Sequence, residues 1–168
     1  PVKLNDLRIF FDDPGASNVI DQSLQNQNSY YHNIGAGKRI LLAEDSQTNR
    51  MVAAAILRRA GYRVDWVADG MEAVESVKRL PYDLILMDVS MPNMDGLDAT
   101  SAIRGLPGDE RDVPIIALTA HAMPGDKERF LESGMDGYLT KPLNTENMLD
   151  VISSYCPPLS ETALQDEQ

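Results

Sequence analysis

At 168 residues the chain can hold one domain with a full hydrophobic core and a remainder; its longest apolar runs, 51–57 and 84–87, fall far short of the roughly 20 residues that span a bilayer. A net charge of −11 repels a phosphate backbone, which sets aside direct nucleic-acid binding and fits ordinary solubility. The single cysteine, Cys156, has no partner within the chain, so a disulfide scaffold is set aside and a reducing compartment is expected.

The chain begins at Pro1, with neither an initiator methionine nor a signal-peptide pattern, and reads as a piece of a longer or processed protein. Residues 1–37 read as a linker or flexible N-terminal arm. Within them DQSLQNQNSYYHNIGAG (21–37) offers too little apolar surface to offset ordering, and LRIFF (7–11) fits a short strand or the remnant of a preceding domain. Residues 38–156 alternate between two patterns. RILLA (39–43), RVDWVA (63–68), DLILM (83–87), VPIIALT (113–119) and GYLT (137–140) are short and apolar, as buried strands are. Between and after them, 47–61, 70–80, 95–106, 124–134 and 144–156 have helical length and period. Five βα units predict a doubly wound, five-stranded parallel sheet in an α/β domain. Residues 157–168 read as a C-terminal tail.

In the first helix Val52, Ile56 and Ala60 recur at i and i+4 and are expected to face the core. Met51, Ala54 and Ala55 then fall toward solvent as a small apolar patch suited to a partner. In open α/β sheets the site lies beyond the carboxyl ends of the strands. The residues that land there are Glu44 and Asp45 after the first strand, Asp88 after the third, Thr119 after the fourth and Lys141 after the fifth. Three carboxylates in one crevice repel each other, and a divalent cation resolves the conflict. Mg2+ takes oxygen ligands and keeps coordination positions open for phosphate oxygens. Asp88, mounted on an apolar strand, then reads as a carboxylate nucleophile, with the cation and Lys141 neutralising phosphoryl charge and the Thr119 hydroxyl offering a hydrogen bond.

The segments LLAEDSQTNR (41–50), DLILMDVSMPNMDG (83–96), PIIALTAHA (114–122) and DGYLTKPL (136–143) resemble, in order and spacing, the receiver domains of two-component response regulators. The resemblance covers 38–156 and implies a flavodoxin-like (βα)5 fold with strand order 2-1-3-4-5. It also implies that Asp88 is the phosphoacceptor and that Glu44 and Asp45 are the acidic pair. Asp45, Asp88 and the Ser90 backbone carbonyl would bind Mg2+, Lys141 would meet the phosphate before a cis Pro142, and Thr119 with Tyr138 would form the switch. His121, two residues after Thr119, would be a rim residue affecting water access, and His32 falls in the polar linker. The partners implied are a histidine kinase dimerisation domain or a histidine phosphotransfer domain, placed over the first helix. The domain would catalyse its own Mg2+-dependent phosphorylation and dephosphorylation.

The same resemblance points to the receiver of a hybrid sensor histidine kinase, cytoplasmic or the cytoplasmic part of a membrane-anchored sensor, with a stand-alone response regulator as the alternative. An Asp-nucleophile phosphatase is less favoured because Ser90 stands where such enzymes carry a second Asp. A flavodoxin-like cofactor binder is disfavoured because EDSQTN (44–49) presents acids where a flavin phosphate must sit.

Overall fold

The computed structural model describes residues 33–158, so the expectations for 1–32, including the 7–11 segment and His32, and for the tail beyond 158 lie outside the described residues. Five strands, β1 (Arg39–Ala43), β2 (Arg63–Val67), β3 (Leu84–Asp88), β4 (Ile115–Thr119) and β5 (Gly137–Thr140), form one parallel sheet in the order β2-β1-β3-β4-β5. Five helices connect or follow them: α1 (Gln47–Arg59), α2 (Gly70–Arg79), α3 (Gly96–Arg104), α4 (Asp126–Ser133) and α5 (Thr145–Tyr155). The order expected from the sequence is the order observed, and a 3-10 turn, Asp109–Asp112, adds to it before β4.

The central strands show why the sheet forms. Every residue of β3 and β4 is buried, as are four of the five in β1, because helices cover both faces. Leu41, Ala43, Ile85, Met87, Ile115 and Ala117 pack on one face with Ala73, Val74, Val77, Ala99, Ile103 and Phe130 of α2, α3 and α4. Their alternate neighbours Ile40, Leu42, Leu84, Leu86, Ile116 and Leu118 point to the other face and are equally buried. β2 and β5 each have one neighbour and stay partly exposed, so they lack the continuous burial expected of them. Cys156 directly follows α5 and is buried.

Four helices start on a side-chain cap. Ser46, Asp69, Asp95 and Asn144 each accept the backbone N–H three residues on, each cap worth about 1 kcal/mol. Gly134 ends α4 in the left-handed region at φ 101°.

The face of α1 needs correction. Its buried stripe is Ala53, Ala54, Leu57 and Ala60, whereas Val52 is 47% exposed and Ile56 only partly covered. Ala54, expected on the outward patch, is 6% exposed and packs inward. The run from 51 to 57 is apolar all round, so it carries no phase of its own. The small alanines let the helix approach the sheet, and the larger Met51 and Val52 are left outside.

Candidate functional site: an acid cluster at the strand ends

Asp88 is the last residue of β3 and is 3% exposed. The chain turns sharply after it and re-enters at α3, and Gly96 makes that return possible: a Cβ there would stand 2.2 Å from the Asp88 carbonyl oxygen. The Gly96 N–H donates to the Val89 carbonyl at 3.0 Å, closing the loop. Within it the Ser90 N–H donates to Asp88 Oδ1 at 3.1 Å.

Lys141, just past β5, reaches across the sheet ends. Its Nζ donates to Asp88 Oδ2 at 3.0 Å and lies 2.7 Å from Glu44 Oε2. The Lys141–Pro142 peptide bond is cis. Glu44 follows β1 and is 1% exposed; its Oε1 accepts the Ser46 N–H at 3.1 Å and the Asn49 amide at 3.3 Å. Asp45, next to it, is exposed. One carboxylate oxygen from each of Glu44, Asp45 and Asp88 lies within 4.8 Å of the others.

The electrostatics follow from this crowding. Burial pushes the Asp88 carboxyl up to about 6; Lys141 and the Ser90 N–H oppose the rise, and the Glu44 charge adds to it. Burial also acts to raise Glu44, but the adjacent Lys141 ammonium and the hydrogen bonds from Ser46 and Asn49 outweigh it and hold Glu44 below the usual carboxylate range. Lys141 loses charge stabilisation on burial, yet the two carboxylates hold it above the ordinary lysine value. One ammonium thus serves two buried acids.

A divalent cation fits this donor set. Glu44 Oε2 is buried and accepts no hydrogen bond of good geometry, although the Lys141 ammonium stands beside it. Three convergent carboxylates with one exposed member make an open, oxygen-only crevice, which suits Mg2+.

The remaining expected residues are placed as follows. Thr119 ends β4 and is buried, but its hydroxyl serves its own loop, donating to the His121 carbonyl at 2.6 Å and accepting the His121 N–H at 3.2 Å. His121 is exposed beside it. The Tyr138 ring is exposed and stands 6.2 Å from the Phe130 ring at a tilt of 50°. Met51 and Ala55 are exposed on α1, with Ala54 buried between them.

Sequence reasoning missed the supporting residues. Asn49 holds Glu44, and the Asn93 amide donates to Asp69 at 2.9 Å, tying the loop after Asp88 to the start of α2. Arg50 donates to the carbonyls of Glu44 and Asp45. Only Arg50 left a signal, since a cation in the first turn of a helix opposes the helix dipole and so points to another task.

A parallel (βα)5 sheet carrying a buried aspartate, an acidic pair and a lysine at its carboxyl edge is the architecture of a phosphoryl-accepting signalling module. The chain belongs to the response regulator receiver domain family, whose profile matches residues 40–153. It is 43% identical over 123 residues to hybrid signal transduction histidine kinase I of Dictyostelium discoideum, covering 70% of this chain and 7% of that protein. It is 40% identical over 118 residues to the signal transduction histidine-protein kinase BarA of Escherichia coli, covering 70% of this chain and 13% of that one.

Among solved structures it is similar to the receiver domain of a sensor histidine kinase from Pseudomonas aeruginosa, described with a magnesium ion coordinated in its active site cleft. The identity is 47% and the TM-score 0.67, over 72% of this chain and 98% of that one. It is also similar to the receiver domain of the Saccharomyces cerevisiae response regulator Ssk1, co-crystallised with the histidine phosphotransfer signalling protein Ypd1. There the identity is 30% and the TM-score 0.66, over 71% of this chain and 88% of that one. No helix among the described residues is long and apolar enough to cross a membrane.

Proposed function

We propose that this domain accepts a phosphoryl group on Asp88 from a phosphohistidine, with Mg2+ held by Asp45, Asp88 and the Ser90 carbonyl beside Glu44. The observation that carries the reading is the Asp88 carboxylate itself, buried on a rigid strand end with Oδ2 3.0 Å from the Lys141 ammonium. A buried acid that costs stability and faces a shared cation has a chemical use.

An Asp88 carboxylate oxygen attacks the phosphorus of the donor, forming a C–O–P linkage as the N–P bond breaks. The imidazole leaves as the neutral ring, keeping the proton on its other nitrogen. Bound in the crevice, the magnesium ion would neutralise charge on the transferring phosphoryl oxygens. Lys141 supplies the second positive charge, and it is already held at the acceptor by its ion pairs with Asp88 and Glu44. The Ser90 N–H steadies the acceptor's other oxygen. Once the phosphoryl is in place its oxygens compete for the Thr119 hydroxyl, drawing it from the His121 carbonyl that it now serves. Tyr138 moves inward in response, which shifts the population between two packings of the α4, β5 and α5 surface.

The donor docks over α1, where Met51, Val52 and Ala55 form the exposed apolar patch. The hybrid kinases among the relatives support a parent protein of the same kind, a histidine kinase carrying this domain as its receiver. To test the acceptor, the chain is incubated with a small-molecule phosphodonor and Mg2+ and its intact mass is followed. One added phosphoryl group is expected in the wild type and none in Asp88→Asn. An equal gain in both proteins, or none in the wild type with any donor, overturns the assignment.

A further inference from the structure

Arg50 sits in the first turn of α1, at the end of the helix dipole that disfavours a cation. Its side chain turns back over the loop between β1 and α1. There Nη1 donates to the Glu44 carbonyl at 2.9 Å and to the Asp45 carbonyl at 3.3 Å. On the other side the guanidinium carbon lies 4.1 Å from the centroid of the Trp66 ring, well within cation–π range.

Trp66 belongs to β2 and pairs in register with Leu42 of β1, while the adjacent Val67 carbonyl accepts the Glu44 N–H at 3.1 Å. β2 therefore holds the acid loop twice, once by its backbone and once through the indole and Arg50. The indole is 53% exposed, so hydrophobic burial alone does not account for its place.

We propose that Arg50, backed by the Trp66 ring, is a positioning residue for the cation site: it fixes the consecutive carbonyls of Glu44 and Asp45 so that their carboxylates converge on Asp88. The inference rests on the divalent-cation reading given above.

The need for such a clamp follows from the charges. Lys141 pairs with Glu44 and Asp88, but Asp45 is exposed and joins no ion pair among the described residues. Repulsion from the other two acids drives Asp45 outward, and the loop it sits on is short. Two hydrogen bonds to its peptide planes oppose that drift, and the guanidinium brings positive charge to the backbone of that loop. Arginine suits the task better than lysine, because its planar group can donate to two carbonyls while stacking on a ring.

The test uses the whole 168-residue chain. Mg2+ is titrated calorimetrically into the wild type, Arg50→Ala, Arg50→Lys and Trp66→Ala, and backbone amide exchange at residues 44–46 is followed in the metal-free proteins. Arg50→Ala is expected to raise the Mg2+ Kd about 10-fold, the scale seen when groups supporting metal ligands are removed. Arg50→Lys and Trp66→Ala should fall between it and the wild type. Exchange should quicken at 44–46 in the same order, with β3 and β4 unchanged.

Should Arg50→Ala fail to fold, the lysine and Trp66→Ala proteins carry the comparison. A lowered melting temperature with an unchanged Kd and unchanged loop exchange would reduce Arg50 to a stabilising residue and overturn the proposal. Wild-type protein that takes up no Mg2+ would overturn the cation reading and this inference with it; wild-type binding that all three variants share would overturn this inference alone.

Discussion

At the carboxyl ends of the strands three carboxylates converge and one ammonium serves two of them, whereas away from that edge Asp136, Asp83 and Asp65 each meet donors of their own. Arg104, closing α3, donates to the carbonyls of Gly134, Arg111 and Val113 and pairs with Asp136 at 2.9 Å. Asp136 also accepts the Ile115 N–H at 2.8 Å, and its carbonyl accepts the Tyr155 hydroxyl. On the other flank Asp83 accepts the Arg39 N–H at 2.7 Å, and Asp65 takes both the Arg39 guanidinium and the Tyr82 hydroxyl. Charges that meet their partners lock loops together. Charges left in excess attract ligands, and the molecule keeps the two apart.

Lys141→Met should break this division most severely, by removing the only cation among the described residues that pairs with the two buried acids. Phosphoryl uptake per folded molecule, followed by mass against time at saturating Mg2+, is expected to fall about 100-fold, the scale for losing one preorganised charge-stabilising donor. A rate within a few-fold of wild type would place transition-state charge stabilisation elsewhere.

Arg104→Ala attacks the matched charges. Losing several charged hydrogen bonds at once should lower unfolding free energy by about 2–3 kcal/mol in urea titrations, while uptake at Asp88 stays unchanged. If uptake slowed in step with stability, the two regions would not be independent.

Asp88→Asn sharpens the contrast from the other side. The folded-state carboxyl is raised to about 6 by burial, above its unfolded value, so the native state binds more protons than the unfolded chain between about pH 4 and pH 6. Wild-type stability in chelator should therefore fall as pH rises through that window. The neutral amide carries no such loss and should be more stable at pH 7 by about 2 kcal/mol. A wild-type profile flat from pH 4 to pH 7, with no gain in the variant, would refute the strained-acid view.

The central sheet was legible because β1, β3 and β4 are apolar on both faces, a pattern that few alternatives share. The meeting of Glu44, Asp45, Asp88 and Lys141 was legible for a related reason: acids and a lysine stand where apolar runs stop. What escaped has no period. Arg50 with Trp66, Asn93 with Asp69 and Arg104 with Asp136 are pairs drawn from different elements, and their sequence separation encodes nothing of their meeting. The Asp109–Asp112 turn is four charged residues with no apolar mark. The face of α1 was misread because three consecutive alanines fit either side of a helix, and only packing against the sheet chose Ala53 and Ala54 over Val52.

Cys156 gives the molecule a built-in clock. It is the chain's only thiol, it directly follows α5, and it is 3% exposed, with burial raising its pKa. A thiol reagent reaches it only when the end of α5 opens, so the labelling rate reads the free energy of that opening. Timing the reaction before and after phosphoryl transfer would measure whether chemistry at Asp88 is felt at the far end of the last helix, with no cysteine engineered for the purpose.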